Sequence, residues 1–464
     1  MQLSHGVSRV HARFDDPNLV SCGGLAPVLA LARRAGLNDL VEARCTLSGP
    51  GAFGAHLKVP ALVAGMVAGA DSIEDMDLLR HGAMGRLFTG IRAPSTLGTF
   101  LRTFTFGHVR QLDAVASNLL GNLARLAPVL PAAPAVVFLD VDDTMRETHG
   151  YAKQGVAYGY NRIKGLNALI ATISTPTSAP LIAGTRLRKG ATNSARGADR
   201  LVADALVTAR RAGVDPNAST VILRADSAFY THKVIAAACR GGARFSVTAR
   251  MTATVRTAVG AIAQDAWTPI HYPNAFVDPD TGELISDAEV AEIPFTAFTG
   301  RRKTEHVTGR LIVRRVRRLN PKTAAGEQDE LFAVWRYHAV FTDSPLTMLQ
   351  AEAQHRGHAI IEQVIADLKN GPLAHLPSGR FNANAAWLVC AAMAFNLTRA
   401  SGALASLRHA HATTATIRAE LINVAARLSR TARTLTLHLP TGWPWASSWQ
   451  ALFGAAVHPP PVAV

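Results

Sequence analysis

The chain is 464 residues long, 48% hydrophobic and only 17% charged. It has length for roughly two to four domains and is too apolar to be a disordered polyelectrolyte. With 48 Lys and Arg against 33 Asp and Glu, its net charge of +15 points to an acidic partner, nucleic acid first. Part of that bias can be codon usage, since 40 of the 48 cations are Arg. Cys22, Cys45, Cys239 and Cys390 are scattered without a Cys-x-x-Cys pair, which excludes a disulfide framework and a cysteine zinc site. The first 20 residues carry Arg9, Arg13, Asp15 and Asp16 and no apolar core, so no secretory signal is read. The longest apolar stretches, near 62–70 and 385–395, fall short of the roughly 18 residues of a membrane helix. A soluble, cytoplasmic protein with no membrane partner is expected.

Residues 1–130 read as helical, with apolar residues at three- and four-residue spacing over 25–35, 59–67, 73–80, 97–104 and 108–126. Ser72 with Asp75, and Ser95 after Pro94, look like helix starts. A helix-turn-helix over 72–104 would need a connector, 81–94, much longer than the usual three or four residues. A helical region for DNA binding or dimerisation is the simpler expectation. From 136 the texture changes. Strands are expected at 136–139, 166–173 and 181–187, then a helix at 197–212, a strand at 220–223, a helix at 232–240 and a strand at 243–248. This β-β-β-α-β-α-β order is that of a ribonuclease-H-like core rather than a doubly wound sheet. Over 250–330 the rhythm stops, with a turn signal at 279–282 and a basic strand-like run at 309–318, which reads as an inserted β-rich subdomain. A strand at 331–341 leads back to a helix at 354–369, followed by helices at 383–399 and 416–428 and by Trp443-Pro444-Trp445. The divisions are therefore 1–130, a core in two parts at 131–249 and 331–400, the insertion at 250–330, and a helical basic region at 401–464. From Asn370 onward there are seven Arg, no Lys, and Glu420 as the only acid.

Three acidic positions carry the candidate chemistry. The first is Asp140-Val141-Asp142-Asp143-Thr144, directly after an apolar strand. Alternation puts Asp140 and Asp142 on one face and Asp143 on the other. One strand-end Asp can cap a turn. Two on one face beside a buried edge repel each other unless a cation or proton neutralises them, which favours a metal site. The second is Asp226, which can equally serve as the N-cap of the next helix. The third is Glu362, in the run from His355 to Asn370. His355, His358, Glu362 and Lys369 fall along one helical face, while Ile360, Ile361, Val364, Ile365 and Leu368 mark a helix packed on two sides. The polar stripe is expected to face an internal cleft. No His-Glu-x-x-His arrangement accompanies the two histidines, which argues against zinc.

Taken together, these residues resemble the bacterial insertion-sequence transposases with a DDE catalytic core, DDE group 1 (insertion sequence 1380 family), in the branch with a β-rich insertion before the catalytic Glu. The resemblance rests on Leu139-Asp140-Val141-Asp142-Asp143-Thr144 with His149-Gly150, on Leu223-Arg224-Ala225-Asp226-Ser227, and on Glu362 with Lys369. Ala374-His375-Leu376-Pro377-Ser378-Gly379, Asn384-Ala385-Ala386-Trp387 and Asn396-Leu397-Thr398-Arg399 extend it over most of the chain. It implies that Asp142, in an Asp-x-Thr context, Asp226 and Glu362 are the catalytic, metal-binding acids. The family signature Tyr-x-x-Arg-x-x-x-Glu-x-x-x-x-x-x-Lys is matched at Glu362 and Lys369. His355 replaces its Tyr and His358 its Arg, and Arg356 is the expected substitute cation. The resemblance also implies Mg²⁺, with Mn²⁺ able to substitute. DNA is the implied partner, as terminal inverted repeats and as target. A homodimer joining two DNA ends and association with the nucleoid are implied in the same way.

Phosphodiester cleavage and strand transfer need an in-line oxygen nucleophile and charge stabilised on both attacking and leaving oxygens. Two Mg²⁺ ions roughly 3.5–4 Å apart meet that need, and hard Mg²⁺ takes carboxylate oxygens. In this scheme Asp142 and Asp226 bridge, Glu362 closes the second position, and Asp140 supports the metal from the same strand face. Lys369, Arg356 and His358 are expected to steady phosphates, and Arg314, Arg315, Arg317 and Arg318 to grip DNA backbone without reading bases. Trp267 is a candidate stacking partner for an unstacked base, set against a core tryptophan of the insertion. Two rival readings stand beside this one. Asp140-x-Asp142-x-Thr144 also fits a haloacid-dehalogenase-like phosphatase, but no second acid follows Asp226 within four positions and Glu362 would have no role. A non-catalytic DNA-binding protein derived from a transposase is the other, and retention of all three acids argues against it.

Overall fold

The computed structural model describes residues 3–148, 153–270, 288–317 and 335–459. His149, Gly150, the turn at 279–282, Arg318 and residues 331–334 of the expected returning strand lie outside them. After a two-residue strand β1 (Leu19–Val20) come α1 (Leu25–Arg34), α2 (Leu37–Arg44), α3 (Ala55–Ala68), α4 (Met84–Leu87), α5 (Pro94–Leu101) and α6 (Phe106–Leu126). Pro94 opens α5, where its missing N–H costs nothing. The Thr105 hydroxyl and the His108 ring accept each other's backbone N–H and so start α6. At Ser72 the Asp75 carboxylate takes the Ser72 N–H at 3.1 Å, but the segment this opens is a 3-10 stretch, Glu74–Leu79, rather than an α-helix.

The core strands are β2 (Val136–Glu147), β3 (Ala157–Tyr158), β4 (Lys164–Thr175), β5 (Ser178–Lys189), β6 (Thr220–Ala225) and β7 (Arg244–Thr248), with α7 (Ala198–Arg211) and α8 (His232–Arg240) between the later ones. β2 is antiparallel to β4 and parallel to β6, and β6 is parallel to β7. Apart from the short β3, this is the strand and helix order expected from the sequence, and the mixed sheet is that of a ribonuclease-H-like core. The insertion differs from expectation. After α9 (Ala253–Gly260) come β8 (Thr268–Ile270), β9 (Ala288–Ala297), β10 (Val307–Arg317) and β11 (Trp335–Thr342), and β11 pairs antiparallel with β7 through Val340, Phe341 and Thr342. The insertion therefore continues the core sheet to ten strands instead of forming a separate subdomain.

Two helices expected to be continuous are not. The segment expected at 354–369 is α10 (Met348–Arg356), a 3-10 turn Gly357–Ala359, and α11 (Ile360–Lys369). The segment expected at 416–428 stops early. After α12 (Phe381–Ala405), α13 (Leu407–His411) and α14 (Thr414–Ile417) a π-turn, Arg418–Ile422, leads into the hairpin β12 (Ala426–Thr431) and β13 (Thr434–His438). Thr434-Leu-Thr-Leu-His438 alternates with period two, the strand signal that a helical reading of this tail passes over. β12 also pairs with β1, so the chain's beginning is tied to its end, where α15 (Ala446–Val457) closes the fold.

α12 is the one helix, among the described residues, long and apolar enough to cross a membrane, yet 89% of its most apolar window is buried in the protein. Its polar groups are satisfied internally. Asn396 accepts from the Ile182 N–H and donates to the Ile182 carbonyl, both at 2.8 Å, which docks the helix on β5. It is the central core helix of the molecule.

Candidate active site

The parallel ladder between β2 and β6 pairs Asp140 with Arg224 and Val141 with Ala225. Continuing that register by one residue brings Asp142, midway along β2, beside Asp226, just past the end of β6. Alternation keeps both pairs on one face of the sheet, so the first is a cation facing an anion and the second is two anions.

The first pair is closed. Arg224 Nε and Nη2 donate to the two Asp140 oxygens, each at 2.7 Å, and both side chains are buried. The guanidinium lies 3.8 Å from the Phe138 ring centroid and donates through Nη1 to the Gln354 carbonyl at 2.6 Å. His358 Nδ1 donates to Asp140 Oδ1 at 3.0 Å. Asp140, expected to support a metal, is thus fully engaged by Arg224 and His358. Its oxygens are spoken for.

The second pair is open. Asp142 Oδ1 accepts from the Asp143 N–H at 2.7 Å and Asp226 Oδ1 from the Ala228 N–H at 2.9 Å, as an N-cap does. Neither carboxylate has an ion-pair partner among the described residues. Burial pushes Asp142 up to about 6, with the charges of Asp226 and Asp143 adding to it and the Asp143 N–H and His358 opposing. Withdrawal from solvent raises Asp226 as well, against the pull of the Ala228 N–H and His358. Asp143, on the other strand face, is paired with Arg188 and accepts a hydrogen bond from the Asn167 amide. Asp142, Asp226, Thr144 and Lys369 line one cavity of about 620 Å³, with Tyr158, Tyr160 and Asn193 on its wall.

α11 packs against β2 and brings Lys369 into this cavity. Burial and the Arg146 charge lower the Lys369 ammonium, while Asp142 draws it up. Glu362 sits in the first turn of α11, one helical turn after His358 and on the face it shares with Lys369, but its carboxyl is exposed. Among the described residues, no three His, Cys, Asp or Glu side chains gather closely enough to hold a metal ion. The structure joins Asp142 with Asp226 and leaves Glu362 apart. Two neighbouring hard carboxylates without an ion-pair partner fit a divalent ion such as Mg²⁺ in donor chemistry.

The remaining expected positions separate. His355 is buried, hydrogen-bonded to Ser246 Oγ at 3.0 Å and Thr248 Oγ1 at 2.9 Å, and burial drives it down to about 3, so it is a neutral pin between α10 and β7. Arg356 pairs with Glu352 at 2.9 Å and is partly exposed, and Glu352 also takes Arg314 at 3.5 Å. Arg315, expected on DNA, is buried. Its guanidinium lies between Trp267 and Trp335, 4.2 and 4.4 Å from their centroids, and pairs with Glu289. A cation enclosed in this way cannot reach a phosphate. Trp267 is accordingly part of the insertion's packing, beside Tyr337 as well. The Arg317 side chain lies outside the described residues. Arg224 is quoted in the sequence reading without a role, although a signal was present: Arg-x-Asp on one strand mirrors Asp-x-Asp on the other.

Comparison with curated proteins finds no match. Comparison with protein families matches residues 4–457 to the one described as Transposase DDE domain group 1. The match takes in the strands bearing Asp142 and Asp226, the inserted strands and the helix bearing Glu362, and on this span the chain belongs to the DDE group 1 transposase family.

Proposed function

We propose that this transposase is encoded by an insertion sequence, binds the terminal inverted repeats of its element as a homodimer, and cuts and joins DNA with Mg²⁺, or Mn²⁺ in its place. The observation that carries the reading is the juxtaposition of Asp142 on β2 and Asp226 just past β6, neither in an ion pair among the described residues and both open to a cavity that Lys369 shares.

In this reading Asp142 and Asp226 would hold the metal, with Glu362 from α11 as the third carboxylate. The bound cation supplies charge stabilisation to the attacking and leaving oxygens of the phosphodiester. The protein's own part is to present three carboxylates, to place the Lys369 ammonium beside a backbone phosphate, and to keep His358 near the acids with Nδ1–H committed to Asp140. Water and then a freed 3′-hydroxyl are the nucleophiles of cleavage and of strand transfer.

The test uses DNA carrying the inverted repeats that flank the gene. Asp142→Asn, Asp226→Asn and Glu362→Gln should each abolish Mg²⁺-dependent nicking and leave binding of the repeat nearly intact. Near wild-type nicking by Glu362→Gln would remove it from the metal site, and metal-independent nicking would defeat the scheme.

A further inference from the structure

Buried ion pairs seldom add net stability over well-packed apolar residues, so the enclosed pair Asp140–Arg224 invites a role of another kind. Its position gives one. Arg224 precedes Asp226 by two residues on β6, and Asp140 precedes Asp142 by two on β2. The same guanidinium reaches the Gln354 carbonyl in α10, and a Cβ built on Gly357 would meet Arg224 Nη1 at 2.9 Å. His358, in the turn that joins α10 to α11, closes the group through its 3.0 Å bond to Asp140. Glu362 follows one turn later.

We propose that Arg224 is a positioning residue for the acidic site. Its planar fork binds β2, β6 and the α10–α11 junction to one another, and so fixes how far Glu362 stands from Asp142 and Asp226. The proposal rests on the reading of those three acids as metal ligands. A guanidinium suits this task and an ammonium does not, because two parallel donors grip the carboxylate while a third, in the same plane, takes a carbonyl on a different element. The close approach of Gly357 has the same origin, since any side chain there would displace Nη1.

The experiment compares full-length proteins by calorimetric Mn²⁺ titration, by duplex binding, and by cleavage of DNA bearing the element ends. Arg224→Ala would strand Asp140 as a lone buried charge and risks unfolding. The informative variants are therefore Asp140→Leu/Arg224→Met, which replaces the pair with apolar groups, and Gly357→Ala, which keeps every charge and displaces only the guanidinium. Both should keep wild-type duplex affinity and KM for DNA. Half-saturating Mn²⁺ should rise, and kcat fall, by about tenfold or more, the range seen when groups that orient metal ligands are removed. Arg224→Lys should fail to restore either value. A folded variant of either kind with wild-type Mn²⁺ half-saturation and kcat overturns the proposal, and Gly357→Ala decides alone if the double variant does not fold. If the wild type takes up no Mn²⁺, the metal reading itself falls and this one with it. Uptake by the wild type with unchanged variants defeats only the role of Arg224.

Discussion

Ionising Asp142 in the metal-free protein works against folding. Its carboxyl is raised from 3.8 to about 6 by burial and by its acidic neighbours. A raised folded-state value means that the favourable, protonated form is complete below about pH 4 and is lost as pH climbs through 6. Asp142→Asn should therefore raise the thermal stability of the metal-free protein at pH 7.5, by no more than about 3 kcal/mol for a shift of about two units, and give no gain at pH 4. A divalent cation should stabilise the wild type at pH 7.5 and not this variant. His355 has the opposite sign. Its value lies below the ordinary 6.5, so its contribution is present above pH 6.5 and is lost on acidification toward 3. His355→Gln, which retains a donor and an acceptor for Ser246 and Thr248, should flatten the fall in melting temperature between pH 6.5 and 4. A fall as steep as the wild type's would show that another group carries it. At this scale the sequence disclosed Asp142, Asp226 and the shared strand face. Which of two aspartates on that face is spoken for depends on a partner 84 positions away, and the matching Arg-x-Asp gains that meaning only once β2 and β6 are paired.

The insertion was legible as β-rich, and its basic run as a strand. Whether the arginines of that strand face DNA or their own neighbours is settled by cross-strand register, which pairs Arg315 with Glu289 on β9 and places it near Trp335 on β11. Arg310 likewise donates to Glu292 and to the Ser344 and Leu346 carbonyls. Arg315→Gln should cost on the order of 3 kcal/mol, as expected when one partner of a buried pair is removed, and leave the salt dependence of DNA binding unchanged. A stable variant with a reduced salt slope would return Arg315 to the DNA-binding surface. The break between α10 and α11 was not legible, because the apolar spacing runs through it. The turn Gly357–Ala359 is held by tertiary contacts that periodicity does not register, His358 to Asp140 within it and Arg224 to the Gln354 carbonyl just before it.

Across the whole molecule, the N-terminal helices, the sheet and the closing helix converge on α12, which packs against α6, α3, β5 and α15. The division of the sequence into five regions follows composition, whereas the core runs through all of them, from Val20 and Leu25 to Trp449 and Leu452. Trp387, fully buried and donating to the Pro372 carbonyl, joins α12 to the loop after α11. Trp387→Ala should cost about 3–5 kcal/mol and lower the melting temperature without altering the metal titration of whatever remains folded. The central helix also sets an order of events during synthesis. A ribosome must deliver some 400 residues before α12 emerges, and until then the faces of α3, α6 and β5 that pack on it lack their main cover, though α2 and α7 reach other parts of them. A nascent chain arrested after residue 380 should therefore be protease-sensitive throughout, and one released after 459 should be protected. Protection of the 1–126 helices in the arrested chain would show that they fold ahead of the rest. The fold cannot close before α12 arrives, and a copy that lacks it leaves those faces for chaperones to cover.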